Sequence, residues 1–242
     1  MHNIKEFRLQ DIQERLYKSK AVAILTGAGI SAESGVPTFR GKNGLWKNFR
    51  PEELATPEAF KQDPRLVWEW YDWRRRTLAQ FKPNAAHLAI AGIEKRIKEF
   101  TLITQNVDGL HQLAGSKNII ELHGNIWRVR CLSCGKITVN RVVPIKILPF
   151  CECGGLLRPD VVWFGEMLSD SNLTKAFVAI DNCDLMFIIG TSGIVQPAAS
   201  FALRAKDEGA LVVEVNIEKT PLSASMDATF IGKAGDILPQ LL

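Results

Sequence analysis

The 242 residues suffice to bury a sizeable core, either as one large domain or as one domain carrying insertions. A composition of 46% apolar and 23% charged residues excludes the disordered, collagen-like and coiled-coil classes. With 30 basic against 26 acidic residues, the net charge of +4 allows a mildly basic face but gives no reason to expect direct nucleic-acid binding.

Met1–Glu6 shows no apolar segment and no small-residue cleavage site, so the expectation is a cytoplasmic protein with reduced thiols. Ile4, Phe7, Ile12 and Leu16 recur at helical spacing and predict an amphipathic helix over 4–17. Ala21–Leu25 is a continuous apolar run, the pattern of a strand buried on both faces. It runs into Gly27-Ala28-Gly29-Ile30-Ser31-Ala32, which fits the dinucleotide fingerprint Gly-x-Gly-x-x-Ala between a strand and a helix. There the first glycine makes the turn, the second admits a pyrophosphate, and the helix N-terminus faces its charge. A plain tight turn with Ser31 as a helix cap is the competing reading. The acidic residue that usually follows about twenty positions on is missing. In its place residues 41–82, with Trp46, Trp68, Trp70 and Trp73 and no buried strand, predict a helical insertion. Within it Tyr71 and Arg74 stand three apart and share a helix face. On pattern alone, Arg74–Arg76 reads as a solvated basic run over an aromatic stripe.

Further helices are expected over 84–98, 170–181 and 197–208, and buried strands over 100–104, 119–122, 185–189 and 211–215. Asn84 is placed to cap the first of these helices, with His87 in a structural role. No apolar run, Leu185–Ile189 included, is long enough to cross a bilayer, so no membrane partner is expected. The alternation predicts an α/β fold: a Rossmann-like parallel sheet with helices on both sides, broken by the helical insertion and by a second one at 126–158.

The second insertion holds Cys131-x-x-Cys134 and, after sixteen intervening residues, Cys151-x-Cys153. Two close pairs across such a loop match a four-cysteine zinc site, and four protein ligands leave no open position, so one structural zinc is expected. Gly135, Gly154 and Gly155 supply turn flexibility, although the second pair is one residue short of the usual spacer. Two disulfides are the alternative, and a reducing compartment disfavours them. Cys183, alone at the edge of an apolar run, reads as a small buried hydrophobe.

Several ordered blocks together resemble the sirtuin family: Gly27–Gly41, Thr104-Gln105-Asn106-Val107-Asp108-Gly109-Leu110-His111, Leu122-His123-Gly124, Val161-Val162-Trp163-Phe164-Gly165-Glu166, Gly190-Thr191-Ser192 and Val215-Asn216-Ile217-Glu218. The likeness runs from about Ala21 to the C-terminus and treats residues 1–242 as one catalytic domain with the two insertions. It implies NAD as a cosubstrate that is broken: the acyl oxygen of a modified lysine attacks the ribose carbon as nicotinamide leaves, and the acyl group ends on ADP-ribose. It further implies Gly27, Ala28, Gly29, Ser31, Ala32, Phe39, Arg40, Gln105, Asn106, Asp108, Gly190, Thr191, Ser192, Asn216, Ile217, Glu218 and Ala234 as cofactor-binding residues. His123 would be the general base, with Gly124 leaving room for a ribose, and Asn106 and Asp108 would orient a hydroxyl and stabilise developing positive charge. Taken singly, His123 and His111 could each be structural and Asp108 a helix cap.

Val162, Trp163 and Phe164 would meet the substrate. Tyr71-x-x-Arg74, with small Ala55, resembles the acid-recognising pair of sirtuins that remove succinyl and malonyl groups, a planar guanidinium fork matching a carboxylate. The partners implied are acylated-lysine proteins or peptides, of chromatin or metabolic type. NAD-dependent ADP-ribosyl transfer and non-catalytic NAD sensing are the competing functions.

Overall fold

The computed structural model describes residues 7–38 and 51–242. In chain order it contains α1 (Leu9–Lys18), β1 (Ala21–Thr26), α2 (Ala28–Ala32), α3 (Pro51–Leu54), α4 (Pro57–Gln62), α5 (Pro64–Leu78), α6 (Ala85–Glu94), β2 (Glu99–Thr104), α7 (Leu110–Ala114), β3 (Ile119–Glu121), β4 (Gly124–Cys131), β5 (Ile137–Val139), β6 (Leu157–Val161), α8 (Asp170–Asn182), β7 (Leu185–Ile189), α9 (Ala198–Asp207), β8 (Leu211–Asn216), β9 (Ala228–Ile231) and α10 (Ala234–Ile237).

Six strands make one parallel sheet in the order β3-β2-β1-β7-β8-β9. Alternate residues of its central strands face opposite layers, which is why their sequences are apolar throughout. Ile24, Leu102 and Phe187 pack under α1 and α6 with Ile12, Leu16 and Ile90. Leu25, Ile103 and Ile188 pack under α8 and α9 with Ile180, Phe201 and Ala205. The register pairs Thr26 with both Thr104 and Ile189, and Ile189 with Val215, so these strands end level. Strand order reverses direction between β1 and β7, the switch point at which doubly wound sheets open a crevice for a ligand. Among the described residues, no helix is long and apolar enough to cross a membrane.

The central elements lie where periodicity places them, and the ends differ. The first helix begins at Leu9, where the side chain of Asp11 accepts the Arg8 N–H. The helix expected to 98 stops at Glu94, because Ile97 turns back against the core ahead of β2. Edge strand β9 was not anticipated: it pairs only with β8, and its half-buried Ala-Thr-Phe-Ile lacks the all-apolar signature of the central strands.

A second core joins α3–α5 to a small antiparallel sheet ordered β5-β4-β6. Trp68 is fully buried there and donates its indole N–H to the Leu157 carbonyl at 2.8 Å, tying α5 to β6. The basic run Arg74–Arg76 is not a solvated face. Arg74 and Arg75 are buried, while Arg76 pairs with Asp72 at 2.6 Å. Arg75 lies over the Trp127 ring at 5.4 Å and donates to the carbonyls of Asn140 and Val142. It therefore fastens the helical insertion to the cysteine-bearing one.

Candidate functional site

Cys131 ends β4, Cys134 follows in its turn, and Cys151 and Cys153 lie on the turn before β6. All four Sγ atoms lie within 4.8 Å of one another. Cys131 and Cys153 are 3.5 Å apart, and Cys134 and Cys151 are 3.9 Å apart. Tetrahedral zinc with bonds near 2.3 Å places sulfurs ~3.8 Å apart, so the donor set fits that ion and leaves it no open position. The short Cys-x-Cys spacer is accommodated by Gly154, which takes a left-handed φ of 81° and donates to the Cys151 carbonyl at 2.9 Å. A side chain at Gly155 would come within 2.7 Å of Cys131 Sγ. The backbone N–H of Cys134, joined by that of Ser133, holds the Cys131 thiol down at about 6, which favours the thiolate a metal requires. Cys183 is buried at the end of α8, away from this cluster, as its apolar surroundings implied.

A cleft of about 810 Å³ opens at the level ends of β1, β2, β7 and β8. Gly27, Ala28, Gly29, Gln105, Asn106, Gly190, Thr191, Ser192, Asn216, Ile217, Glu218 and Ala234 line it, as do His123, Tyr71, Arg74, Val162, Trp163 and Phe164. Elements far apart in the sequence thus converge on one wall. The Gly29 N–H donates to the Gly190 carbonyl at 2.8 Å, and a Cβ on Gly29 would lie 2.7 Å from that oxygen. The glycines of the fingerprint are therefore required by the meeting of two backbones, in addition to any approach of a phosphate. Gln105 reaches the Thr191 hydroxyl at 3.1 Å and Asn216 the Thr191 carbonyl at 2.8 Å, lacing the strand ends together.

Ser31, Ala32 and Asp108 do not line the cleft. The Ser31 hydroxyl donates to Asp108 at 2.7 Å, and Asn106 donates to the Gly27 carbonyl at 2.9 Å and to Ser31 at 3.2 Å. Asp108 also accepts the Leu110 N–H at 2.9 Å, as a cap would. Burial pushes the Asp108 carboxyl up, and the Leu110 and Ser31 hydrogen bonds oppose this. Phe39 and Arg40 lie outside the described residues, as does Trp46. Gly124 is not among the lining residues; a Cβ there would strike the Asp160 backbone, so close pairing of β4 with β6 by itself requires a glycine. The cleft also takes in Glu33, Thr38, Val195, Gln196 and Lys219, none of them among the expected site residues. Glu33 and Thr38 carried one available signal, their place inside the glycine-loop block.

His123 donates from Nδ1 to the Gln105 carbonyl at 2.9 Å, leaving Nε2 as a bare acceptor on a ring that lines the cleft. Burial pushes its pKa down, with the Gln105 bond opposing, so the ring is neutral at neutral pH. His87 and His111 pack with ring centroids 4.8 Å apart and planes tilted by 56°, behind the glycine loop and fully buried. His111 Nε2 meets the Thr26 hydroxyl at 2.9 Å, and the Asn84 side-chain oxygen caps α6 by accepting the Ala86 and His87 N–H groups while the His87 ring accepts the Asn84 N–H in return. Burial holds His87 down at about 4 and pushes His111 well below its usual range.

A doubly wound parallel sheet, a glycine-walled cleft at its switch point and a closed four-thiolate module define a nucleotide-cleft α/β protein with a structural metal site. The Sir2 family pattern matches residues 27–197. The NAD-dependent protein deacylase 1 of Caldanaerobacter subterraneus subsp. tengcongensis is 58% identical over 214 residues, 88% of each chain. A Sir2 homologue solved in complex with NAD superposes with a TM-score of 0.90 at 47% identity, covering 98% of this chain and 93% of its own. A Sir2 protein bound to deacetylated p53 peptide and 3′-O-acetyl-ADP-ribose gives 0.84 at 32% identity, covering 97% of each. The chain belongs to the Sir2 (sirtuin) family.

Two outcomes follow from this geometry. Purified protein should carry one zinc by elemental analysis, and Cys151→Ala should lose both the ion and several degrees of melting temperature; full stability without zinc would remove the metal assignment. The buried histidine pair sets the second. Unfolded imidazoles take protons below their ordinary value of 6.5, whereas folded His87 refuses one until about 4. Stability is therefore complete above 6.5 and falls as pH drops toward 4, by at most about 1.4 kcal/mol per pH unit for each histidine. Melting curves from pH 7.5 to 5 should show this slope and His87→Gln should reduce it; an equal slope in both proteins would place the proton uptake elsewhere.

Proposed function

We propose that this chain is an NAD-dependent protein-lysine deacylase that accepts acyl groups ending in a carboxylate, succinyl and malonyl, alongside acetyl. The observation that carries the reading is the meeting of Tyr71, Arg74 and His123 in one cleft with the glycine wall. NAD, when bound, supplies the ribose carbon that accepts the acyl oxygen and the nicotinamide that departs.

The chain's own residues hold and orient the reactants. Gly27–Gly29, Gly190–Ser192, Asn216–Glu218 and Ala234 receive the nucleotide, with NAD in a homologous structure as support. His123 Nε2 takes the proton of a ribose hydroxyl, its ring turned by the Gln105 carbonyl. Asn106 fixes the glycine loop through the Gly27 carbonyl, and Asp108 supports it from behind through Ser31. Val162, Trp163 and Phe164 form the edge along which an acyl-lysine segment lies, consistent with the peptide complex of the relative. The Phe164 N–H is already taken by the Ala55 carbonyl at 2.9 Å, which brings that small residue to the acyl end of the cleft. Arg74, buried over the Trp70 ring at 4.9 Å with Asp108 near enough to favour its charge, puts a planar guanidinium at that end. A carboxylate answers that charge in a way a methyl group does not. Residues 1–242 act as one catalytic domain, with 41–82 supplying the acyl pocket and 126–158 the metal module.

Mass spectrometry of acetyl-, malonyl- and succinyl-lysine peptides with and without NAD tests the reading. All three should be deacylated only with NAD, with O-acyl-ADP-ribose as co-product. His123→Ala should slow every reaction by about 10²–10⁴-fold while NAD still binds. Arg74→Met should lower the succinyl-to-acetyl ratio of kcat/KM by about 10–100-fold, as expected for a lost charged hydrogen bond. Unchanged ratios would leave a plain deacetylase, and ADP-ribose retained on protein would point to transfer instead.

A further inference from the structure

Tyr71 is fully buried but for the edge that lines the cleft, and its oxygen accepts the Trp163 indole N–H at 2.9 Å. An indole only donates, so one phenol lone pair is occupied. No described residue accepts the Tyr71 hydroxyl hydrogen. It is thereby left to donate into the cleft, and accepting a bond strengthens the one it gives.

The indole is itself clamped. The Arg158 guanidinium lies 3.5 Å from its ring centroid, and Phe60 stands 5.2 Å from it on a tilted ring. The Trp163 backbone N–H donates to Glu166 at 2.8 Å, and the same carboxylate takes two bonds from Arg158, at 2.5 and 2.9 Å. Arg158 is 8% exposed and also holds the Val161 carbonyl at 2.9 Å, so the pair is anchored to β6.

We propose that Glu166 and Arg158 are positioning residues for acyl selectivity: by locking Trp163 they make Tyr71 a fixed donor, which favours acyl groups ending in an acceptor oxygen. The inference rests on the carboxylate-pocket reading and names residues outside the Tyr71–Arg74 pair as part of it. Loosening the clamp leaves both pocket residues in place and frees the phenol to turn.

The test compares kcat/KM for succinyl-lysine and acetyl-lysine peptides in Glu166→Gln, Trp163→Phe, Tyr71→Phe and the double variant Trp163→Phe/Tyr71→Phe, each at saturating NAD. Glu166→Gln and Trp163→Phe should each lower the succinyl-to-acetyl ratio by about three- to tenfold. The double variant should match Tyr71→Phe in ratio, because the indole acts through the phenol. If Tyr71→Phe shifts the ratio while Glu166→Gln and Trp163→Phe lower both substrates equally, the clamp is only structural and this inference falls alone. If Tyr71→Phe also leaves the ratio unchanged, the carboxylate pocket falls with it.

Discussion

The structure turns on one backbone crossing. At the ends of β1 and β7, Gly27 and Gly29 lie against Gly190 so closely that a methyl group on either loop glycine would come within 2.9 Å of that residue or its neighbour. Gly190 makes the contact with a left-handed φ of 58°, a conformation that costs glycine little and other residues more. The hydrogen bond from Gly29 to the Gly190 carbonyl closes the switch point of the sheet. The sheet-end wall of the cleft is placed relative to that floor: Asn106 through the Gly27 carbonyl and Ser31, with Asp108 held behind it by Ser31, and Gln105 and Asn216 through Thr191.

The opposite wall is built on different physics. Its support is the small antiparallel sheet rather than the parallel one, and α5 is held by burial of Trp68 and Tyr71 against β4 and β6 and by Arg75, whose guanidinium reaches the loop beyond β5. Burying two consecutive arginines is costly unless each finds compensation. Arg75 finds it in carbonyls and the Trp127 ring, while Arg74 lies over Trp70 beside the cleft. The metal module thus acts beyond its own fold: the loop that Arg75 grips belongs to it, and Arg75 adjoins the residue assigned to the acyl end.

Much of the fold was legible because its signals are local. Apolar runs such as Leu185–Ile189 have no alternative to a strand buried on both faces, and two cysteine pairs across a sixteen-residue loop limit the chemistry sharply. What stayed hidden depends on distant packing. Arg74–Arg76 looks like a solvated run because charge pattern carries no knowledge of the β4–β6 sheet that buries it. Gly124 resembles a ligand-spacing glycine, although its neighbour is the Asp160 backbone. Strand β9 has no apolar signature because its residues are only half-buried at the edge of the sheet. Val195, Gln196 and Lys219 reach the cleft only because the loops after β7 and β8 fold over it.

The glycine crossing is the proposed floor of the NAD site. Calorimetric titration of NAD into Gly29→Ala tests it most directly, with zinc content and far-UV circular dichroism as controls for folding. The added methyl must displace the Gly190 backbone, so NAD affinity should fall by at least tenfold while zinc and secondary structure are retained. Binding within twofold of the unaltered protein would contradict the claim and move the cofactor to another part of the cleft.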